Sequence, residues 1–516
     1  MTEVADRIVV AGATGFVGHA VSHRLAGRAS PLEVVGLTRG RKDASGAWSR
    51  LVTCDLFSLK DVERALEGAR YVAYLVHSML PSARLVQGRF QDLDLICADN
   101  LGRAARACGV EQIVYLGGLI PEGGALSTHL ASRREVELAL GAHGVPVTTL
   151  RAGLVIGPGG SSFEILRRLV DRLPAMVLPA WSARRCQPID LGTVAALVEH
   201  CVGRAETYGQ TFDIGGPDVL PYRDMIRITG EELGRRRPSI GVPLSLHRLS
   251  RLWVSVVTGA PKALVAPLIE SLAHEMVCRD RRLQAAAALP GLPFRAAVSA
   301  SLAQTRAAEE PQAYQAAPRA KVTGVRSVQR IALPAGRTAE WAAHEYMRWL
   351  PRGAWWAGLS VHVDKTRRAT FTLLGSRRPL LELTFAADRS GSDRQLFYVT
   401  GGLLAGPSAR GRLEMRETPD GAHLLTAIHD FVPRLPWPIY RWTQALVHRW
   451  VMHRFGAHLA RLARRGGRRE DRGGLSGGRA RTGPRPGTRP SAAPARVGRA
   501  RDRSRRCARR TGRRTT

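Results

Sequence analysis

The sequence lacks the features of a secreted or metal-held protein. Its seven cysteines, at 54, 97, 108, 186, 201, 278 and 507, are odd in number, scattered, and form no C-x-x-C pair. That excludes a disulfide framework and a zinc ribbon and fits a reducing compartment. The longest apolar stretch, around Leu252 to Val257, falls short of the roughly 20 residues needed to cross a bilayer. The opening residues, MTEVADR, are acidic and run straight into an apolar strand, so the expectation is no secretory leader and a cytoplasmic protein. No nucleotide-triphosphate loop, H-E-x-x-H helix or paired-carboxylate motif occurs. His448 and His453 miss the i, i+4 spacing that puts two ligands on one helix face, and no metal is expected.

What the chain does have is length, positive charge and a patterned glycine turn. Its 516 residues, 44% hydrophobic, exceed one ordinary domain and can fill sizeable cores. The formal charge is +34, but 19 arginines against Glu470, Asp471 and Asp502 in residues 464–516 carry about half of it. This Arg-, Gly- and Pro-rich tail has too little apolar surface to order itself. It reads as a solvated extension or as a weak contact for a polyanion or a membrane surface. Residues 306–324 read as a linker, which divides the folded part into residues 1–305 and 325–463.

In the first region RIVVAG, EVVGLTR, LVTCDL, YVAYLVHSM, QIVYLGGL and VPVTTLRAGLVIG alternate with helical stretches such as SLKDVERALEGA and FQDLDLICADNLGRAARAC. Near-continuous apolar strands separated by helices predict an α/β fold with a doubly wound parallel sheet. From about 222 to 305 the pattern turns helical, and LSLHRLSRLWVSVVTGAPKALVAPLIESL reads as helices over a cleft or as a membrane-touching stretch. Gly12, Gly15 and Gly18 stand where the first strand must turn into a helix. The first permits a tight turn, the second admits a diphosphate without a Cβ in the way, and the third lets helix and strand pack closely. The helix amides then face the phosphates. Strand two ends in Arg39, with Arg41 and Lys42 behind it, where an NAD-preferring protein usually carries an acid. A guanidinium suits a 2′-phosphate, which favours NADP, as NADPH, over NAD; the alternative is a solvated strand end. Asp55 ends strand three, either accepting from an adenine amino group or forming a turn.

The segments VAGATGFVG, CDL, LRAGLVIGPGG and FDIGGPD together resemble the extended and atypical short-chain dehydrogenase/reductases over roughly residues 5–305. The likeness is to the branch that includes NmrA-like regulators and a complex I accessory subunit. The resemblance implies cofactor contacts from Gly12, Thr14, Gly15, Phe16, Val17 and Gly18, from Arg39, from Asp55 and Leu56, and from Val76. Active members use a Tyr-x-x-x-Lys pair on the helix after strand five and a Ser at that strand's end. The matching positions here are His129 and Arg133, with Gly117 for the Ser. Arg133 keeps a cation for the nicotinamide ribose. His129, one turn from that cation, is expected to be neutral near pH 7, serving as a base or hydrogen-bond donor or else as a polar residue orienting the helix. The changed pair leaves three readings. The leading one is an oxidoreductase on a small apolar carbonyl or enone-like substrate. The others are an epimerase or dehydratase that recycles its cofactor, and a redox sensor or scaffold that binds without turnover.

Residues 325–463 read as a strand, an aromatic helix, alternating strands and a long last helix, an antiparallel α+β arrangement. Its element order resembles the START/polyketide-cyclase helix-grip fold, which implies an apolar cavity for a lipid-like ligand. The local wealth of tryptophan, at 341, 349, 355, 356, 437, 442 and 450, fits such a pocket, a contact surface or a plain aromatic core.

Overall fold

Each β-branched run of the first region becomes a strand in the computed structural model. The model describes residues 5–29, 32–40, 46–77, 85–123, 126–242, 259, 269–307, 324–353, 358–406, 408 and 410–474. In chain order the first strands are β1 (Asp6–Ala11), β2 (Leu32–Thr38), β3 (Arg50–Thr53), β4 (Tyr71–Tyr74), β5 (Leu85–Gln87), β6 (Gln112–Gly118) and β7 (Val147–Ala152). All but β5 join the strand Thr211–Ile214 in a seven-stranded sheet. Its order is Thr211–Ile214, β7, β6, β4, β1, β2, β3, parallel throughout.

Both faces of this sheet are apolar, as helices on both sides require. Ile8, Val10 and Leu150 pack with Val21 and Leu25 of helix α1 (Phe16–Ala26). Val9, Ala11 and Ile113 pack with the opposite layer. That layer holds α2 (Leu59–Leu66), α3 (Phe90–Ala107) and α4 (Thr128–Gly141). Ser58 and Ser127 start α2 and α4 by accepting from the amides of Asp61 and Leu130, the usual N-cap stabilisation.

The second region forms an eight-stranded sheet. Its strands Leu359–Val363, Ala369–Leu373, Pro379–Phe385, Arg394–Gly401, Arg412–Glu417 and His423–Phe431 follow one another antiparallel. Val325–Ala332 pairs antiparallel with the last of these, and β5 then pairs parallel with its first residues, Val325–Ser327. The sequence reading assigned no strand to residues 85–87; three residues carry too little pattern, and their partner lies some 240 residues away along the chain. The two regions thus share a sheet, within one compact unit spanning Met1–Ala463. The tail beyond residue 474, most of the expected linker and most of the apolar stretch 244–272 lie outside the described residues. Among the described residues no helix is long and apolar enough to cross a membrane.

Period-two alternation gives the second sheet two different faces. Ile331, Leu413, Met415 and Leu424 face the helices Ala339–Gly353 and Gln444–Gly474, with Tyr346, Phe455 and Leu459 closing the core. Arg326, Arg330, Arg412, Glu414 and Arg416 face α2 and α3 instead, joined by Val328, Leu425 and Ala427 of the first region's core cluster. The polar face is therefore buried. Arg416, 1% exposed, bonds Asp99 at 2.6 Å and the Asn100 side chain at 2.9 Å, and is paired with Glu414. Arg330 bonds Asp92 at 2.7 Å and Glu135 at 2.8 Å. Arg103 reaches Asp393 and Arg389 reaches Glu63, at 3.0 Å for the latter.

Replacing Arg416 by methionine should leave Asp99 and Glu414 buried without their shared cation. The expected loss is about 3–5 kcal/mol of stability, read as a lower urea midpoint. An unchanged midpoint would mean that the two sheets are not held together through these charges.

Candidate active site

The turn between β1 and α1 is built for close approach. Gly12 has φ +91°, and the amide of Gly15 bonds its carbonyl at 2.9 Å. A Cβ at Gly18 would lie 2.1 Å from the Gly12 carbonyl oxygen, and one at Gly12 would lie 3.0 Å from that of Leu75. Side chains are thus excluded where strand and helix meet. Gly15 caps α1 without a side-chain bond, and the first turn carries no acid. The positive end of α1 is left for an external anion, so the residues present fit a dinucleotide diphosphate. The expected loop residues line up around this cradle. Val76 approaches Gly12 from the end of β4, and the Phe16 ring lies against Gly157 and Gly160. Arg39 is exposed at the end of β2, while Arg41 and Lys42 lie outside the described residues.

Asp55 forms the turn that the sequence left open beside an adenine contact. Its carboxylate is paired with Arg326 and accepts from the Phe57 amide at 3.2 Å. The guanidinium of Arg326 also lies over the Phe57 ring, 4.2 Å from its centre. A cation from the second sheet therefore engages the same carboxylate.

The two residues matching the Tyr/Lys pair sit on one face of α4, but they divide the work in an unexpected way. Arg133 does not reach out for a ribose. It is 6% exposed and paired with Asp94 of α3, itself 1% exposed, and its carbonyl accepts from the buried Tyr115 hydroxyl at 3.2 Å. Burial is possible only because the ion pair satisfies both charges. His129 points to the opposite end of a hydrogen-bonded chain. Its Nδ1 lies 3.2 Å from Ser271 Oγ, and its Nε2 lies 3.2 Å from Nε2 of His77. The two imidazoles are stacked, with ring centres 5.3 Å apart. His77 Nδ1 meets Asp94 at 3.2 Å, and Ser127, the cap of α4, reaches Ser271 at 3.2 Å.

The protons on this chain follow from its two ends. An ionised Asp94 only accepts, so His77 donates from Nδ1 and accepts at Nε2. His129 then donates from Nε2, leaving Nδ1 to accept from the Ser271 hydroxyl. Burial, His77 and Arg133, in that order, push the His129 imidazolium down to about 3. His77, whose side chain is 33% exposed, is lowered only by partial desolvation and by Arg133, against the opposing pull of Asp94. Burial raises the Tyr115 hydroxyl to about 12, which leaves it a hydrogen-bond donor and not a proton shuttle. Sequence reasoning missed His77, Asp94 and Ser271. His77 ends a strand in plain sight, but Asp94 sits mid-helix in an amphipathic pattern and Ser271 comes from a segment nearly 200 residues further on.

Residues 8–123 match the model of the NAD dependent epimerase/dehydratase family. With the parallel sheet and its glycine turn, this is an NAD(P)-binding Rossmann fold. The auxiliary protein GraX of Staphylococcus aureus is 29% identical over 147 residues, 28% of this chain and 43% of that protein. An uncharacterized protein of Mycobacterium tuberculosis is 28% identical over 257 residues, 49% of this chain and 26% of that protein. The chain therefore spans less than half the length of these relatives. Among solved structures, an NADPH-dependent quinone oxidoreductase of Escherichia coli is 17% identical, covering 57% of this chain and 99% of its own, with a TM-score of 0.47.

Unfolded, both histidines titrate near 6.5; folded, they resist protonation. The unfolded chain therefore binds more protons as pH falls, and the contribution of His129 to stability is complete above about 6.5 and lost toward about 3, with His77 acting in the same direction. The acid-side fall in melting temperature should be shallower in His129→Gln than in the wild type. Equal slopes would show that His129 is freely solvated.

Proposed function

We propose that the chain is an NADP(H)-dependent oxidoreductase acting on the carbonyl/alcohol couple of a small apolar substrate. The observation that carries this reading is the continuous chain Ser271, His129, His77, Asp94 beside a turn shaped for a diphosphate. The dinucleotide, when bound, supplies hydride chemistry; the chain's own contribution is protonic. Ser271 Oγ passes its proton to His129 Nδ1 as it takes one from a substrate hydroxyl, His129 hands its Nε2 proton to His77 Nε2 so that the charge rests beside Asp94, and the same atoms return it in the reducing direction. Asp94 holds His77 in the tautomer that keeps His129 Nδ1 open, while Arg133 holds Asp94 ionised. Arg133 is thus a positioning residue in this scheme, in place of the ribose contact. Ile120, Leu126 and Leu154 are partly buried members of the apolar cluster around Leu130 of α4, which supports an apolar substrate.

Arg39 supports the preference for the 2′-phosphate. The match to the epimerase/dehydratase model favours a second reading, in which the cofactor is recycled; product epimers formed without net NADPH change would identify it. In the second sheet, a groove of about 740 Å³ between Gln329–Ala332 and the last helix is lined by Ile331, Leu446, Trp450 and Met452. It supports the helix-grip expectation of a lipid-like ligand.

Arg39→Ala should weaken NADPH about 10- to 100-fold while sparing NADH, because it removes charge-assisted bonds to one phosphate; equal losses for both in calorimetry would refute the assignment. Ser271→Ala should lower turnover on a panel of apolar ketones and alcohols about 100-fold with unchanged NADPH affinity. Wild-type turnover in that variant would remove the relay from the mechanism.

A further inference from the structure

One end of the second sheet carries apolar side chains that stay largely exposed among the described residues. Helix Trp437–Trp442 and the start of helix Gln444–Gly474 turn Tyr440 and Ala445 inward, onto Phe431 and Ala405. Ile439, Trp442, Leu446 and Val447 stay outside, 50, 70, 44 and 42% exposed. Leu403, also exposed, belongs to the same corner: its amide bonds Pro379 at 3.0 Å, and the amide of Arg434 bonds the neighbouring Leu404 carbonyl at 3.1 Å. Pro379 closes the turn that exposes Leu373, Leu374, Arg377 and Arg378.

The chain that runs through this corner carries charge of one sign. No Asp or Glu occurs between Asp430 and Glu470, whereas Arg434, Arg441, Arg449, Arg454 and Arg461 do. Asp430 is itself bound by Arg412 at 2.7 Å. Arg434, Arg449, Arg454 and Arg461 are exposed, and the Arg454 guanidinium sits 5.0 Å from the centre of the Trp450 ring.

We propose that this corner docks on the surface of a bilayer carrying anionic lipid. Apolar side chains at helical spacing, an exposed tryptophan and flanking arginines are the composition that enters the headgroup layer, where hydrocarbon covers the former and lipid phosphates meet the latter. A second copy of the chain would bring the same cationic surface against itself in a two-fold contact, which like charges oppose. A nucleic acid would neutralise the arginines and leave Ile439, Leu446 and Leu403 in water. The docked corner adjoins the groove, since Leu446 belongs to both, so an apolar ligand can enter from the lipid side.

The test is flotation of the full chain with vesicles of phosphatidylcholine alone or mixed with phosphatidylglycerol. The wild type should float with the mixed vesicles and far less with phosphatidylcholine. The variant Ile439→Ser/Trp442→Ser/Leu446→Ser alters exposed side chains only and should bind the mixed vesicles about tenfold less or weaker still, with an unchanged melting temperature. Three results would overturn the proposal: no flotation of the wild type; flotation of the variant equal to the wild type, which assigns binding to the tail arginines; or loss of self-association in the variant without any vesicle binding.

Discussion

The fold depends on neutralising an acidic helix buried on all sides. Helix α3 carries Asp92, Asp94 and Asp99, each almost or fully enclosed, and such charges are tolerated only when paired and hydrogen-bonded. Each finds a cation on another element, and Asp99 has a second one on α3 itself. Arg330 of the second sheet takes Asp92, Arg133 of α4 takes Asp94, and Arg103 with Arg416 takes Asp99. The coulombic pull of Arg416 and Arg103 and a bond from His143 hold the Asp99 carboxyl well below the ordinary carboxylate range despite its burial. Because these partners come from regions far apart in sequence, the helix fixes how sheet, site and second region fit together.

The same helix sets the chemistry. Asp94 is shared by Arg133 and His77, so the ionised state that the arginine maintains dictates which nitrogen of His77 carries its proton. That choice propagates through two stacked rings to Ser271. The proton acceptor at the end of the chain is thus specified by a charge pair that is itself sealed from water. A lysine at position 133 would offer a point charge in place of the planar fork, and in the proposed relay the arginine acts from behind, through Asp94.

Much of this was legible. The glycine turn, the six strands of the first sheet named from sequence, α3 and α4 and the strand-rich second region all announce themselves by periodicity and by turn residues. The neutral state of His129 also follows from a nearby arginine, although burial proves the larger cause. What sequence hides is pairing at a distance. In GRLEMRET the alternation of Arg412, Glu414 and Arg416 with Leu413 and Met415 reads as a sheet with one wet face; the face is dry, because its charges meet those of α3. The partners of Asp55 and Arg133 were hidden for the same reason: a charged side chain looks solvent- or ligand-directed until its ion pair is known. Strand β5 and Ser271 are invisible locally, since each acquires its role only from contacts made across the fold.

The central claim, that a buried carboxylate orders the protons of two histidines, is tested most directly by imidazole nitrogen chemical shifts of the labelled protein across pH. His77 should carry its proton on Nδ1 and His129 on Nε2, with both rings staying neutral below the pH at which a free imidazole takes up a proton. Titration of either ring near its ordinary value, or the same tautomer on both, would contradict it.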